Sequence, residues 1–261
     1  MPAAPPIAFV VTCEHGGNRV PRRYARWFRG GERLLASHRG WDPGALTIAR
    51  ALARALRAPL VASTVSRLVV ELNRSPRHPQ LFSDLMRAAP ADVREAAFNE
   101  VYVPHRRRVE ALVRRSVARG RFVVHIASHS FTPVLRGRVR RTDVGLLYDP
   151  GRRHESALCV AWQRALRARA PGSSVRRNHP YRGTSDGLTR ALRRRFGDTR
   201  YAGIELEVNQ RRLRATSIAR WQRLLVASLV DALAAIGGPR PGVNAARRPG
   251  PARRGDSREA A

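Results

Sequence analysis

Along this chain, short runs of β-branched and other apolar residues alternate with stretches whose apolar positions recur every three or four residues. The runs predict strands over residues 7–13, 60–63, 68–72, 122–127, 144–148 and 203–208. Several are apolar without interruption, which suits strands covered on both faces. One helical stripe comprises Ala45, Ile48, Ala49, Leu52 and Leu56, and a second Val109, Leu112, Val113 and Val117. A third runs through Ile218, Trp221, Leu225, Leu229, Leu233 and Ile236, then stops at Gly237, where a glycine can take the left-handed cap conformation. No repeat of fixed length is visible. The alternation predicts an α/β fold: a doubly wound, mostly parallel or mixed central sheet with helices on both faces. A single domain is expected over residues 1–237. Residues 238–261, rich in Gly, Pro, Ala and Arg with almost nothing to bury, are expected to form a disordered tail.

Composition narrows this picture only a little. A hydrophobic fraction of 43% with no long apolar run argues against a membrane span. Two cysteines are too few for a disulfide framework, and the first residues lack the charged-then-apolar pattern of an export signal, so the cytoplasm is the expected location. A net charge of +31 would ordinarily suggest nucleic acid. Every basic residue is Arg, however, and the arginines are spread along the chain, among them Arg22, Arg54, Arg94, Arg114, Arg167 and Arg223. That distribution reads as a solvated surface, and no specific nucleic-acid partner is expected.

Ligands of open α/β sheets gather at the carboxyl ends of strands, and the unusual residues of this sequence fall there. Glu14 and His15 follow the first predicted strand in CEHGGN, whose two glycines predict a sharp turn. His129 and Ser130 follow the fourth. Two imidazoles at strand ends suit Zn²⁺, which takes nitrogen and carboxylate ligands and keeps a position open in catalytic sites. Candidates for the third ligand are Asp42, Glu14 and Asn18; Asp42 in WDPGA could equally cap a helix that has Pro43 at its first position. Asn73 and Arg74 follow the third predicted strand and together offer an amide and a guanidinium fork for a carboxylate. Glu205 and Glu207 share one face of an otherwise apolar strand, where acids are costly unless paired, solvated or functional.

The segments CEHGGNRVP, WDPGA, SRLVVELNR, SHSFTP, VGLLY, NHPY and IELEVNQ occur in an order that resembles the N-formylglutamate amidohydrolase family, which is similar in turn to the zinc carboxypeptidases. The resemblance implies one zinc ion on His15 and His129, with Asp42 expected as the third ligand. It also implies carboxylate recognition by Asn73 and Arg74, a substrate pocket lined by Asn178, Tyr181 and Ser130, and Glu207 as general base. Glu71 stands where the family usually has Asp and is expected to support the site from behind. The expected reaction is hydrolysis of an N-formyl or other N-acyl amino acid. A zinc peptidase acting on short peptides or cell-wall fragments is the alternative, and a basic nucleic-acid-binding protein on a hydrolase-like scaffold the second.

Overall fold

The structure, a computed structural model, describes residues 5–214 and 216–237. The expected tail at 238–261 lies outside the described residues. In chain order the elements are β1 (Ile7–Cys13), α1 (Glu32–Ala36), α2 (Ala45–Leu56), β2 (Leu60–Ala62), α3 (Asp84–Arg87), α4 (Ala91–Ala97), α5 (Val103–Ala118) and β3 (Phe122–Phe131). A two-stranded hairpin follows, β4 (Val134–Leu135) with β5 (Arg138–Val139). Then come β6 (Val144–Leu147), α6 (Arg153–Arg169), β7 (Val175–Arg177), α7 (Leu188–Arg195), β8 (Tyr201–Asn209) and α8 (Ile218–Ala235).

Six strands form one mixed sheet in the order β2-β1-β3-β8-β6-β7. The first four run parallel, whereas β6 pairs antiparallel with β8 and carries β7 parallel to itself. Consequently the carboxyl ends of β1, β3 and β8 meet at one edge. Both central strands, β3 and β8, are buried along their whole length, their polar residues included.

Strand alternation sorts the side chains onto two layers. Val11, Cys13, Val124, Ile126, Ile204, Leu206 and Val208 pack under α2, α6 and α8. Val10, Val123 and Tyr201 face the other way, toward Val109 and Val113 of α5 and Leu188 and Leu192 of α7. Thr12, Glu14, His125, His129, Glu205 and Glu207 have the parity of this second layer. The sheet is therefore apolar against α2, α6 and α8, and turns polar toward the carboxyl edge against α5 and α7. The last helix closes as expected, with Gly237 at φ +71° and its N–H on the Ala234 carbonyl.

One predicted strand does not exist. Residues 68–72 form turns, although Leu68, Val69, Val70 and Leu72 are all buried. Leu68 and Val69 instead fill a separate core with Tyr24, Phe28, Met86 and Ala97 beyond the sheet edge. Apolar content marked burial there, and burial alone does not distinguish a strand from a packed loop.

Candidate active site

His15 leaves the end of β1 on a backbone drawn tightly against the segment after β2. The Gly16 N–H donates to the Ser63 carbonyl at 2.9 Å, and a Cβ on Gly17 would stand 2.7 Å from the Thr64 carbonyl oxygen. Neither glycine has a positive φ among the described residues. They are needed for this close approach, and not for a left-handed backbone conformation.

Asp42 is held next to His15 by its own backbone N–H, which donates to the His15 carbonyl at 2.9 Å. It does not cap a helix. The residue preceding α2 is Gly44, at φ +81°, with no side-chain cap. The Asp42 carboxylate turns inward instead: Oδ2 lies 3.3 Å from His15 Nδ1 and 3.0 Å from His129 Nδ1, and accepts the Ser130 N–H at 3.3 Å. One ligand atom from each of His15, Asp42 and His129 lies within 4.8 Å of the others, and all three residues are buried. Of the other candidates for a third ligand, Glu14 stands behind His129 at Nε2, 3.1 Å away. Asn18 points away and donates to the Leu35 carbonyl.

The chemistry of this donor set fits a metal ion. His15 Nε2 meets Glu71, and His129 Nε2 faces Glu14, so each ring has a carboxylate at both nitrogens. A neutral imidazole has one N–H. With that proton toward the outer carboxylate, both Nδ1 lone pairs point at the Asp42 oxygen, acceptor against acceptor. A cation among the three removes the conflict. Without one, protons must supply the charge: burial opposes it, but Asp42 and Glu14 hold His129 well above the ordinary imidazole pKa. His15 is raised as well, by Glu71 and Asp42 acting against burial and Arg67.

Glu207 pairs directly with His129 across the β3–β8 ladder. Its Oε2 is buried with no hydrogen-bond partner among the described residues. Burial, reinforced by the negative charges of Asp42 and Glu205, pushes its carboxyl up to about 8. Glu205 is occupied differently, accepting the Thr189 hydroxyl at 2.7 Å.

These groups line a cavity of about 150 Å³ together with Asn73, Arg74, Ser130 and Tyr181. Asn73 Oδ1 accepts the Leu188 N–H at 2.7 Å, which leaves its NH₂ end to donate. Arg74 gives one N–H to the Asp186 carbonyl at 2.8 Å. The Ser130 hydroxyl donates to the Pro43 carbonyl. Tyr181, at the mouth, accepts from Arg140 at 2.9 Å. Asn178 is not brought to the cavity: its Oδ1 accepts the backbone N–H groups of Tyr148 and Gly183, both at 3.0 Å. It anchors the loop that folds back over β6, where a Cβ on Gly145 would meet the His179 carbonyl at 2.2 Å.

Two residues of the site went unmarked in the sequence. Arg67 donates to Glu71 at 2.7 Å and to Asp42 at 3.3 Å, but one arginine among fifty carries no signal of its own. Burial resists the ionisation of Glu71, yet Arg67 and His15 outweigh it and hold the carboxyl far below the usual range. His105, the second, sits in VPHRRRVEALV, where it reads as part of a wet helix face; it is buried 3.6 Å from Glu14.

A family model described as N-formylglutamate amidohydrolase matches residues 7–213. The structure of a gene product from Agrobacterium tumefaciens is 31% identical, with a TM-score of 0.76 over 88% of this chain and 91% of that one. An N-formylglutamate amidohydrolase from Ralstonia eutropha shares the fold at 22% identity and a TM-score of 0.65, covering 90% of this chain and 98% of that one. No curated protein matches.

Proposed function

Since the chain belongs to the N-formylglutamate amidohydrolase family, we propose that it hydrolyses the amide bond of an N-formyl or other short N-acyl amino acid, such as N-formylglutamate, and that it does so with one zinc ion. The observation that carries this reading is the convergence of His15, Asp42 and His129 at one sheet edge, with the Glu207 carboxyl on the neighbouring strand. Two imidazoles and one carboxylate make a three-ligand set of the kind that catalytic zinc uses. When bound, the ion would polarise the amide carbonyl and acidify the attacking water.

The chain's own residues supply the rest. Glu207 takes the proton of the attacking water and returns it to the amide nitrogen as the C–N bond breaks, releasing the acid and the free amino acid. Asn73 and the free part of the Arg74 fork hold the substrate's α-carboxylate, fixing the amide relative to Glu207. A cavity of about 150 Å³ favours a compact N-acyl amino acid over a peptide. The proposed setting is the cytoplasm, in keeping with two buried, free cysteines.

The test is metal analysis combined with deacylation of a panel containing N-formylglutamate, other N-acyl amino acids and short peptides. Glu207→Gln is expected to lower kcat by about 10²–10⁴-fold with zinc still bound. Wild-type turnover in that variant would sink the mechanism, and preference for peptides would move the substrate class.

A further inference from the structure

Glu14 is the carboxylate that the mechanism leaves unused, and it is completely buried on the face of the sheet that α5 covers. Its two oxygens face two histidines. Oε2 lies 3.1 Å from His129 Nε2, and Oε1 lies 3.6 Å from His105 Nε2. All four of these atoms are buried and out of hydrogen-bond alignment with any described residue. An isolated carboxylate so placed would be expensive.

His105 lies in the first turn of α5, and that turn braces the site at three points. Tyr102, just before it, donates through its hydroxyl to the Arg74 carbonyl at 2.7 Å. Arg106 donates to the Leu72 carbonyl at 3.2 Å. Positions 102, 105 and 106 share one helix face by their spacing. The same face thus supports the segment carrying Asn73 and Arg74 and, through His105, the carboxylate behind His129.

We propose that Glu14 and His105 are positioning residues of the metal site: His105 fixes Glu14, and Glu14 fixes the His129 ring with its proton on Nε2 and its Nδ1 lone pair turned to the metal position beside Asp42. A histidine ligand needs its remote nitrogen held in this way, and the support typically changes metal affinity by about 10–100-fold. The inference rests on the metal-site reading above. It does not depend on which amide is cleaved.

Zinc affinity, measured by competition with a chromogenic chelator in the absence of substrate, tests it. Glu14→Gln is expected to weaken zinc binding by about 10–100-fold. His105→Leu is expected to weaken it by about tenfold, and His105→Gln, which keeps an N–H donor near the Nε2 position, to restore most of the loss. The control is His125→Gln, on the same strand. His125 is buried between Thr12 and Tyr201 at 2.9 and 2.7 Å, and its loss is expected to lower stability while leaving zinc affinity within twofold of wild type. Equal zinc affinity in wild type and Glu14→Gln, or an equal loss in His125→Gln, overturns the proposal. Should Glu14→Gln not fold, ¹⁵N spectra of histidine-labelled, zinc-loaded wild-type protein still decide: metal on His129 Nδ1 with a proton on Nε2 supports the assignment, and metal on Nε2 refutes it. Failure of the wild type to deacylate any substrate strikes the functional reading alone, because none of these measurements involves turnover.

Discussion

Glu155 and Glu14 are both shielded from solvent, and both face cationic or titratable partners, yet their surroundings differ in kind. Glu155, on α6, accepts from Arg193 Nε at 2.9 Å and from the backbone N–H groups of Gly203 and Asp149, each at 2.9 Å. Arg193 in turn donates to the carbonyls of Gly183 and Gly203, both at 2.6 Å. Both Glu155 oxygens and each nitrogen of the Arg193 guanidinium find partners inside the protein, and only the neighbouring Arg152 Nε, 3.4 Å from Glu155, lacks an aligned one there. Around Glu14 the reverse holds: carboxylates and imidazoles crowd together, buried atoms lack aligned partners, and two rings converge on a single Asp42 oxygen. A closed network fixes structure; an open one fits the binding of a cation and a substrate. The same polypeptide keeps polar groups buried for two different ends, and hydrogen-bond completeness tells them apart.

The strongest way to break this comparison is to remove a member of the closed network. Glu155→Ala strands the buried Arg193 guanidinium and the Gly203 and Asp149 N–H groups, so a loss of about 3–5 kcal/mol is expected. Zinc affinity of the molecules that remain folded should match wild type. Denaturant titration and chelator competition, run side by side, measure the two. A large fall in zinc affinity at unchanged stability would show that the closed network serves the site after all.

In the open cluster the sign should reverse. The Glu207 carboxyl, pushed up to about 8 by burial, binds a proton in the folded chain that the unfolded chain has already released. The contribution of Glu207 to the folding stability of metal-free protein therefore falls as pH rises from the ordinary carboxylate range to about 8 and is flat beyond. Glu207→Gln removes this contribution from the slope and gains on the order of 2–4 kcal/mol at pH 9 relative to wild type. Catalysis and stability would then pull in opposite directions at one residue. A variant less stable than wild type at pH 9 in the presence of chelator would contradict this account.

The two kinds of network were unequally legible in the sequence. His15 and His129 stood out because each interrupts or follows a continuous apolar run, and the α/β layering followed from the same runs. Asp42 was ambiguous, since an Asp before Pro-Gly and a helical stripe has the same sequence whether it caps the helix or turns toward two histidines; only the backbone bond to His15 separates these. Residues 68–72 were misread as a strand because a packed loop must also be apolar. Arg67 and His105 were hidden by their own type or neighbours, one by the abundance of arginine and the other by three arginines following it. Closed networks such as Glu155 with Arg193 leave no trace at all, because their members lie 38 residues apart and look like surface charges.

Asp143 offers an intermediate case with the smallest expected effect. Its carboxylate is buried and accepts from the Ser174 N–H at 2.9 Å and from Arg211 and Arg212, each at 2.7 Å, but both arginines reach it from partly exposed positions. Burial works against its charge, and the bonds from Arg212, Ser174 and Arg211 prevail, so its carboxyl lies below the ordinary value. The stabilisation is thus complete above the unfolded pKa of about 4 and is lost as pH falls through the lower folded value. Solvent around the guanidinium groups weakens the pairs, so Asp143→Asn should cost about 1 kcal/mol at pH 7. That penalty should shrink below about pH 4 and vanish once the wild-type carboxyl is protonated. Denaturation of both proteins between pH 2 and pH 7 gives the difference directly. A penalty that stays constant across that range would mean that Asp143 acts through shape and hydrogen bonding alone, and would move it fully into the class of Glu155.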